Sequence, residues 1–412
     1  ILLSMAGNIA WAVENQYYNV FMYNEIAPVP LYVSLMVTIT AFVSSFTTIL
    51  MGAVSDVKGK RRFFMLYSFI LWGITTAIFP FAALLYPIFL AIFIAILFDS
   101  IMTYFGATAY DACLSAYITD ITTIENRGKA VGLMEIMVLF STLIIYAASG
   151  FIIVAIGYYV FFILIGILTG IIGVIGALLA QDKESLKPLD VKIWTQIRSS
   201  FKFKVIKDNK NLFLLLLGVG IWAVGFNVFF PFIIVYLQHY IGLDIALASI
   251  VMFIALFSSI LLGIPAGMLV DKFGRKTMGL LAICAEIIFL ILFALTTDLI
   301  LIIIFGILWV VFITIWHIVA QTWTKDLFPS ENVGQFSGYY LIFNVLIGMS
   351  IGPLIGGWIS ELYGNPIRIN GIPGYVPTPW LFIVGAIIMI FSIVPVSLAK
   401  GTKLKKNEQK EN

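Results

Sequence analysis

The stretch Gly52-Ala-Val-Ser-Asp56-Val-Lys-Gly59-Lys60-Arg61-Arg62 has a second copy in outline. Residues 267–276 read Gly267-Met-Leu-Val-Asp271-Lys-Phe-Gly274-Arg275-Lys276, so glycine, aspartate, glycine and a basic pair recur at a constant offset of 215. A second echo sets Asp120-x4-Glu125-Asn126-x-Gly128-x3-Gly132 against Asp326-x4-Glu331-Asn332-x-Gly334-x3-Gly338, at an offset of 206. Two independent echoes at nearly equal spacing imply one design written twice.

The design is written in apolar residues. Of 412 residues, 61% are hydrophobic and 11% charged, and the mean hydropathy is +1.07. A soluble chain carries about 25% charged residues, so this one lacks the polar side chains to cover a surface in water. That excludes a cytosolic enzyme, a nucleic-acid binder and a disordered scaffold. Cys113 and Cys284 lie inside apolar runs and form no disulfide framework. The chain opens at Ile1 within such a run, with no small-residue cleavage site after it; no cleavable signal peptide is expected, and native residues can precede it.

A membrane span needs roughly 20 apolar residues. Such runs fall near 1–24, 31–54, 63–84, 88–118, 130–153 and 158–180, then near 212–237, 245–270, 277–297, 299–323, 336–362 and 379–399. The expected fold class is therefore an all-α integral membrane protein of 12 transmembrane helices in two pseudo-symmetric six-helix bundles. The expected domains are a bundle over 1–180, a cytoplasmic linker over 181–211, a second bundle over 212–399 and a cytoplasmic tail over 400–412. With the N-terminus inside, all of the 24 basic residues except Arg368 fall on the cytoplasmic side, as the positive-inside rule requires. A multi-pass protein of the cell membrane with both termini cytoplasmic is expected. No Lys or Arg sits mid-span, so a carboxylate buried there has no fixed cationic partner and reaches neutrality by taking up a proton.

Within the linker, Ile193, Trp194, Ile197, Phe201 and Val205 recur at helical spacing among basic residues. That fits a helix lying on the inner membrane surface, in competition with a solvated basic linker. The Pro- and Gly-rich stretch 364–379 reads as an irregular loop.

The doubled Gly-x3-Asp-x2-Gly-basic-basic loop resembles the signature of the major facilitator superfamily, along the whole chain. The resemblance implies that the loop Asp and basic residues latch helices, which makes Asp56, Arg61, Asp271 and Arg275 gating candidates, with topology and helix capping as the plainer role. Trp11-Ala12-Val13-Glu14, followed by Pro28 and then the signature loop, is similar to the sucrose-transporter-like branch of the glycoside–pentoside–hexuronide cation symporters. That resemblance implies a sugar-binding aspartate in the fourth helix, which Asp111 matches. The sodium-coupled melibiose type has two aspartates in the second helix where this chain has Ser44 and Thr48, so protons are the expected coupling ion and sodium the less favoured one.

Ionisable residues inside spans are functional hypotheses by default. Asp111 lies nine residues before Asp120, about 13 Å along a helix, and so near the midplane. Glu14 lies eleven residues before Glu25, at a similar depth. His317 stands 206 residues after Asp111, at the equivalent place in the tenth helix. Glu14, Asp111 and His317 thus share a level, and by resemblance the first, fourth, seventh and tenth helices line the cavity. Glu14 and Asp111 are the expected proton carrier and sugar-hydroxyl acceptor. His317 is a candidate pH sensor or a residue that merely satisfies a backbone carbonyl. Asp99, twelve residues above Asp111, is about 18 Å up the helix and is expected at the outer rim as a proton-access group. Glu135 reads as structural. Glu286, near mid-depth in a helix expected to pack peripherally, reads as a satisfied core carboxyl.

Sugar sites combine hydrogen-bonding groups with aromatic rings. Trp11, Asn15 and Tyr18 beside Glu14, and Tyr104 near Asp111, are the candidates in the first half. Trp222, Phe226, Asn227, Trp316 and Gln321 are those in the second. The expected function is proton-coupled symport of a sugar, a di- or oligosaccharide, by alternating access; the alternative is an exporter or facilitator of another small amphipathic solute. No enzyme activity, metal or other cofactor is expected: the two His and two Cys are scattered and no phosphate-cradling loop is present. The absence of cavity Lys or Arg argues against organic phosphates. The expected partners are the small-molecule substrate and the lipid bilayer, with no nucleic acid, and the expected unit is a monomer.

Overall fold

In a computed structural model the chain is described over residues 1–182, 203–329 and 333–401. The proposed surface helix around Trp194, the Glu331-Asn332 pair of the second echo and the basic tail lie outside those residues, as does the side chain of Asp271.

Among the described residues ten helices are long and apolar enough to cross a membrane. One of them, Lys129–Leu179, is two rods joined at Gly157, whose φ of +81° belongs to a turn and not to a helix. A further continuous helical rod occupies 2–26. The described chain thus has twelve rods. They are α1 (2–26), α2 (Pro30–Lys58), α3 (Arg61–Leu84), α4 (Ile88–Ile121), α5 (124–156) and α6 (158–179), followed by α7 (Lys210–His239), α8 (Ile245–Phe273), α9 (Arg275–Leu295), α10 (Leu299–Asp326), α11 (333–363) and α12 (Trp380–Leu398).

Several rods start where local chemistry demands. Pro30 opens α2, where its missing N–H costs nothing. Thr123 and Asn126 form a capping box at the start of α5, and Asp298 caps α10 by accepting from the Leu301 N–H at 3.0 Å. Among the described residues four π-helical segments interrupt the rods, at Glu14–Tyr18, Met22–Ile26, Ala107–Leu114 and Ile342–Ile347. Such bulges occur frequently at functional sites, and two of these contain Glu14 and Asp111.

The stretch expected as an irregular loop is instead an antiparallel hairpin, β1 (Asn365–Ile369) and β2 (Ile372–Val376), with Ile369 opposite Ile372. Asn370 and Gly371 turn it with φ of 51° and 81°, the positive-φ pair that a two-residue hairpin turn needs. The prolines keep out of helix but not out of a short exposed ribbon.

The residues divide into two compact units. The first holds Ile1–Lys202, Val228–Phe253 and Met349–Leu381; the second holds Phe203–Asn227, Ile254–Gly348 and Phe382–Asn412. In α7 the division falls just before a 3-10 turn at Phe230–Phe232, where Pro231 removes a backbone donor.

Within the first unit, α1 is tied to residues far along the chain. Gln16 donates to the Phe230 carbonyl at 3.1 Å, and the Tyr17 hydroxyl donates to Ser249 at 2.8 Å. Asn24 donates to Tyr158 at 3.0 Å and to Gln238 at 3.3 Å, and its carbonyl oxygen lies 2.8 Å from His239 Nε2. The hairpin docks through the Tyr375 N–H, which donates to the Pro28 carbonyl at 2.9 Å.

Candidate functional site

Three helices of the first unit present matched stripes to one another. On α1 the stripe is Trp11, Glu14, Tyr18; on α3 it is Trp72, Thr76, Phe79; on α4, running the opposite way, it is Gly106, Thr103, Asp99. Each follows the three-to-four residue spacing of one helix face.

Trp11 and Trp72 pack with ring centroids 5.1 Å apart, over Gly106, where a β-carbon would meet both rings. One step along, Thr103 donates to Glu14 Oε1 at 2.9 Å. The next step brings Tyr18, Thr76 and Asp99 together, exposed by only 1%, 1% and 2%. Above them the Tyr18 ring stacks on Phe79 at 3.8 Å, with Phe162 edge-on at 5.1 Å.

Asp99 therefore does not lie at the outer rim. Its helix begins eleven residues earlier, at Ile88, which leaves about 16 Å of helix beyond it; counting upward from Asp111 gave its height but not the packing of α1 and α3 that buries it. Its carboxylate lies within electrostatic reach of Glu14 and of the Tyr18 hydroxyl. Glu14 is also within reach of Asp111. Three carboxylates thus converge around α1, and among the described residues no Lys or Arg forms an ion pair with any of them.

Asp111 is half-buried, as are Trp11 and Asn15, whose amide donates to the Trp11 carbonyl at 2.8 Å. Tyr104 is exposed. Tyr18, by contrast, is enclosed, with its ring face taken by Phe79. Next to Asp111, Tyr110 accepts from Asn8 at 2.7 Å and crosses Gly7 so closely that a β-carbon there would strike its ring. Neither Asn8 nor Gly7 drew notice in the sequence, where nothing but their position in α1 marks them.

The second unit carries its own cluster. Trp222 Nε1 donates to Glu286 Oε2 at 2.9 Å, so α9 is not peripheral at this point: its fully buried carboxyl is bonded to α7. Trp222 stacks on Phe226 at 5.2 Å and meets His317 edge-on at 5.0 Å. His317 and Gln321 are exposed on α10 and Phe226 is half-buried. Trp316 is buried behind them, 6.1 Å from Trp222. Asn227 is also buried, its amide donating to the Ala223 carbonyl at 2.8 Å.

At the basic ends the two sequence echoes meet. Arg61 reaches Asp56 and Ser55, and its Nε lies 3.1 Å from Asp120. Arg275 Nε lies 2.6 Å from Asp326. Arg62 binds elsewhere: its side chain donates to the carbonyls of Ala177 and Leu178 at the end of α6, the place where a cation suits a helix C-terminus. On α2, Thr48 donates to the Ser44 carbonyl at 2.8 Å, so its hydroxyl proton serves its own helix.

The profile of the Major Facilitator Superfamily matches residues 3–238 and again 215–412. No curated protein sequence matches the chain. Among solved structures it is similar to the nucleoside transporter NupG, with a TM-score of 0.73, 15% identity, and 96% of this chain and 97% of that one covered. The inward-open xylose transporter XylE from E. coli gives 0.72, 15%, 98% and 96%. A bacterial homologue of the human lysosomal transporter Spinster gives 0.69, 14%, 97% and 94%. At these identities the likeness concerns the fold.

Proposed function

This chain belongs to the major facilitator superfamily, a multi-pass membrane transporter and not an enzyme, and from that premise we propose that it is a proton-coupled sugar symporter. The observation that carries the reading is Glu14, held by Thr103 and within reach of Asp111, with no Lys or Arg paired to it among the described residues. Such a pair binds a proton in place of a fixed counter-ion. A half-buried carboxylate at Asp111, with Trp11, Asn15 and Tyr104 nearby on the same unit, offers acceptors for hydroxyls and ring faces for sugar C–H groups. His317, Gln321 and Phe226, backed by Trp222, offer a comparable set on the second unit.

The proposed substrate is a di- or oligosaccharide, following the similarity of Trp11-Ala12-Val13-Glu14 to the glycoside–pentoside–hexuronide branch. A D-xylose–proton symporter is among the similar folds, which is consistent with that chemistry. The proposed orientation puts both termini and the Arg61 and Arg275 latches in the cytoplasm, as the basic residues require. Alternating access follows if proton and sugar each favour one arrangement of the transporter over the other.

The test uses proteoliposomes loaded with a pH-reporting dye and a panel of disaccharides added outside. Acidification of the lumen with one sugar, lost in Glu14→Gln and in Asp111→Asn, is the expected result. Failure of every radiolabelled sugar to enter under imposed proton and sodium gradients would overturn it.

A further inference from the structure

Glu286 is a buried carboxyl that proton-coupled transport leaves unused. It is fully enclosed on α9; Oε2 accepts from Trp222 Nε1 at 2.9 Å, and Oε1 has no hydrogen-bond partner. A leucine would fill the same space without the cost of burying a carboxyl, so packing alone does not account for it. What the bond adds is a direction. Trp222 is 2% exposed and lies among rings: Phe226 stacks on it at 5.2 Å, His317 meets it edge-on at 5.0 Å, and Trp316 is 6.1 Å away. Stacking fixes the plane of an indole, whereas the hydrogen bond fixes which edge carries the N–H. With the ring turned over, a buried donor would lose its acceptor.

Trp222 is too enclosed to meet a solute itself. Its neighbours are not: His317 is exposed and Phe226 half-buried, and both belong to the set proposed to meet sugar on the second unit. The geometry points to Glu286 as a positioning residue for that set. By holding the Trp222 indole in one orientation, it fixes the wall against which Phe226 and His317 rest. This inference rests on the sugar-transport reading. Side chains left loose must be ordered when the sugar binds, and that ordering lowers affinity. Loss of the bond should therefore weaken binding more than it slows the transport cycle.

The test has one arm without sugar and one with it. Purified full-length protein is labelled with 5-fluorotryptophan, and the Trp222 fluorine resonance is assigned among the nine by its loss in Trp222→Phe. Glu286→Leu should shift or split that resonance. Glu286→Gln, which keeps an oxygen for the indole N–H, should hold it near the wild-type position. In proteoliposomes, Glu286→Leu should raise KM for the transported sugar by about tenfold with kcat within about twofold of wild type, and Glu286→Gln should restore KM. Trp222→Phe removes the donor from the other side of the bond; it should raise KM in the same way, and it carries the test if Glu286→Leu does not fold. An unchanged Trp222 resonance in Glu286→Leu overturns the inference, as does an unchanged KM in Trp222→Phe or a loss confined to kcat. Loss of proton-driven accumulation in Glu286→Gln also overturns it, because Glu286 would then be a coupling group. A wild type that takes up no sugar defeats the transport reading instead, and the sugar-free spectra still decide whether Glu286 orients Trp222.

Discussion

Arg61 Nε lies 3.1 Å from Asp120 Oδ2, while the same guanidinium reaches Asp56 on the other side of the loop. The two aspartates come from different repeats in the sequence, one at an offset of 215 and one at 206, and a single side chain joins them. In the second half Arg275 meets Asp326 in the same way. The echoes align Arg61 with Lys276, yet Arg275 makes the bond. Both pairing arginines are the first residue of their helix, α3 and α9. The glycine before α9 has φ 85° and ψ 149°, so that helix begins at once, whereas Lys60 intervenes after Gly59.

Arg61 is 4% exposed, so Arg61→Ala strands two partly exposed carboxylates around a loop. A loss of about 1–3 kcal/mol is expected, below the full value for a buried pair because Asp56 and Asp120 meet solvent. Arg61→Lys should recover only part of it, since an ammonium cannot fork between two acceptors. Thermal unfolding of Arg61→Ala, Asp120→Asn and the double variant checks this; strict additivity would show that the pair contributes no coupling.

Thr103 holds Glu14 through one hydrogen bond at 2.9 Å. Thr103→Val keeps the shape and removes the donor, and should lower sugar-driven proton uptake by about tenfold. Thr103→Ser should restore most of the rate. Equal rates in the Val and Ser variants would separate Glu14 orientation from coupling.

Glu286 accepts from Trp222 in a fully buried setting. Glu286→Gln retains an amide oxygen for the indole N–H and should cost less than about 1 kcal/mol. Glu286→Leu leaves that N–H without an acceptor and should cost about 1–3 kcal/mol. Unfolding midpoints compare the two, with tryptophan emission reporting the ring's surroundings; a Leu variant as stable as Gln would remove the bond from any structural role.

The β1–β2 hairpin offers a contrast between two glycines. At Gly374 a β-carbon would run into the Pro28 carbonyl, the oxygen that also accepts from the Tyr375 N–H. At Gly371 nothing lies within 4 Å, and only the φ of 81° resists a side chain. Gly374→Ala should therefore undock the hairpin and open residues 365–376 to protease, while Gly371→Ala should cost about 1 kcal/mol and leave the hairpin in place. Limited proteolysis distinguishes them.

Much of the fold was legible because the signals are linear. The twelve apolar runs and the clustering of basic residues identified the rods, although α4 extends three residues beyond its run to Ile121. The hairpin was legible too, through Asn370-Gly371, but the prolines around it pointed to a loop. The π segments at Glu14 and Asp111 carried no such sign, since they are rare single-turn features inside otherwise ordinary helices.

The sequence by itself determined a doubled membrane transporter, since hydropathy, charge bias and repeat spacing depend on residue order alone. It also picked out Glu14 and Asp111, because a carboxyl inside an apolar run is conspicuous without knowledge of its neighbours. Only the tertiary structure decided which groups meet. Asp99 joins Tyr18 and Thr76 because three distant helices turn matching faces together, and Glu286 serves Trp222 because α9 packs on α7 there. Those encounters depend on helix rotation and depth, which a single residue's shift in a helix start or one π turn is enough to change.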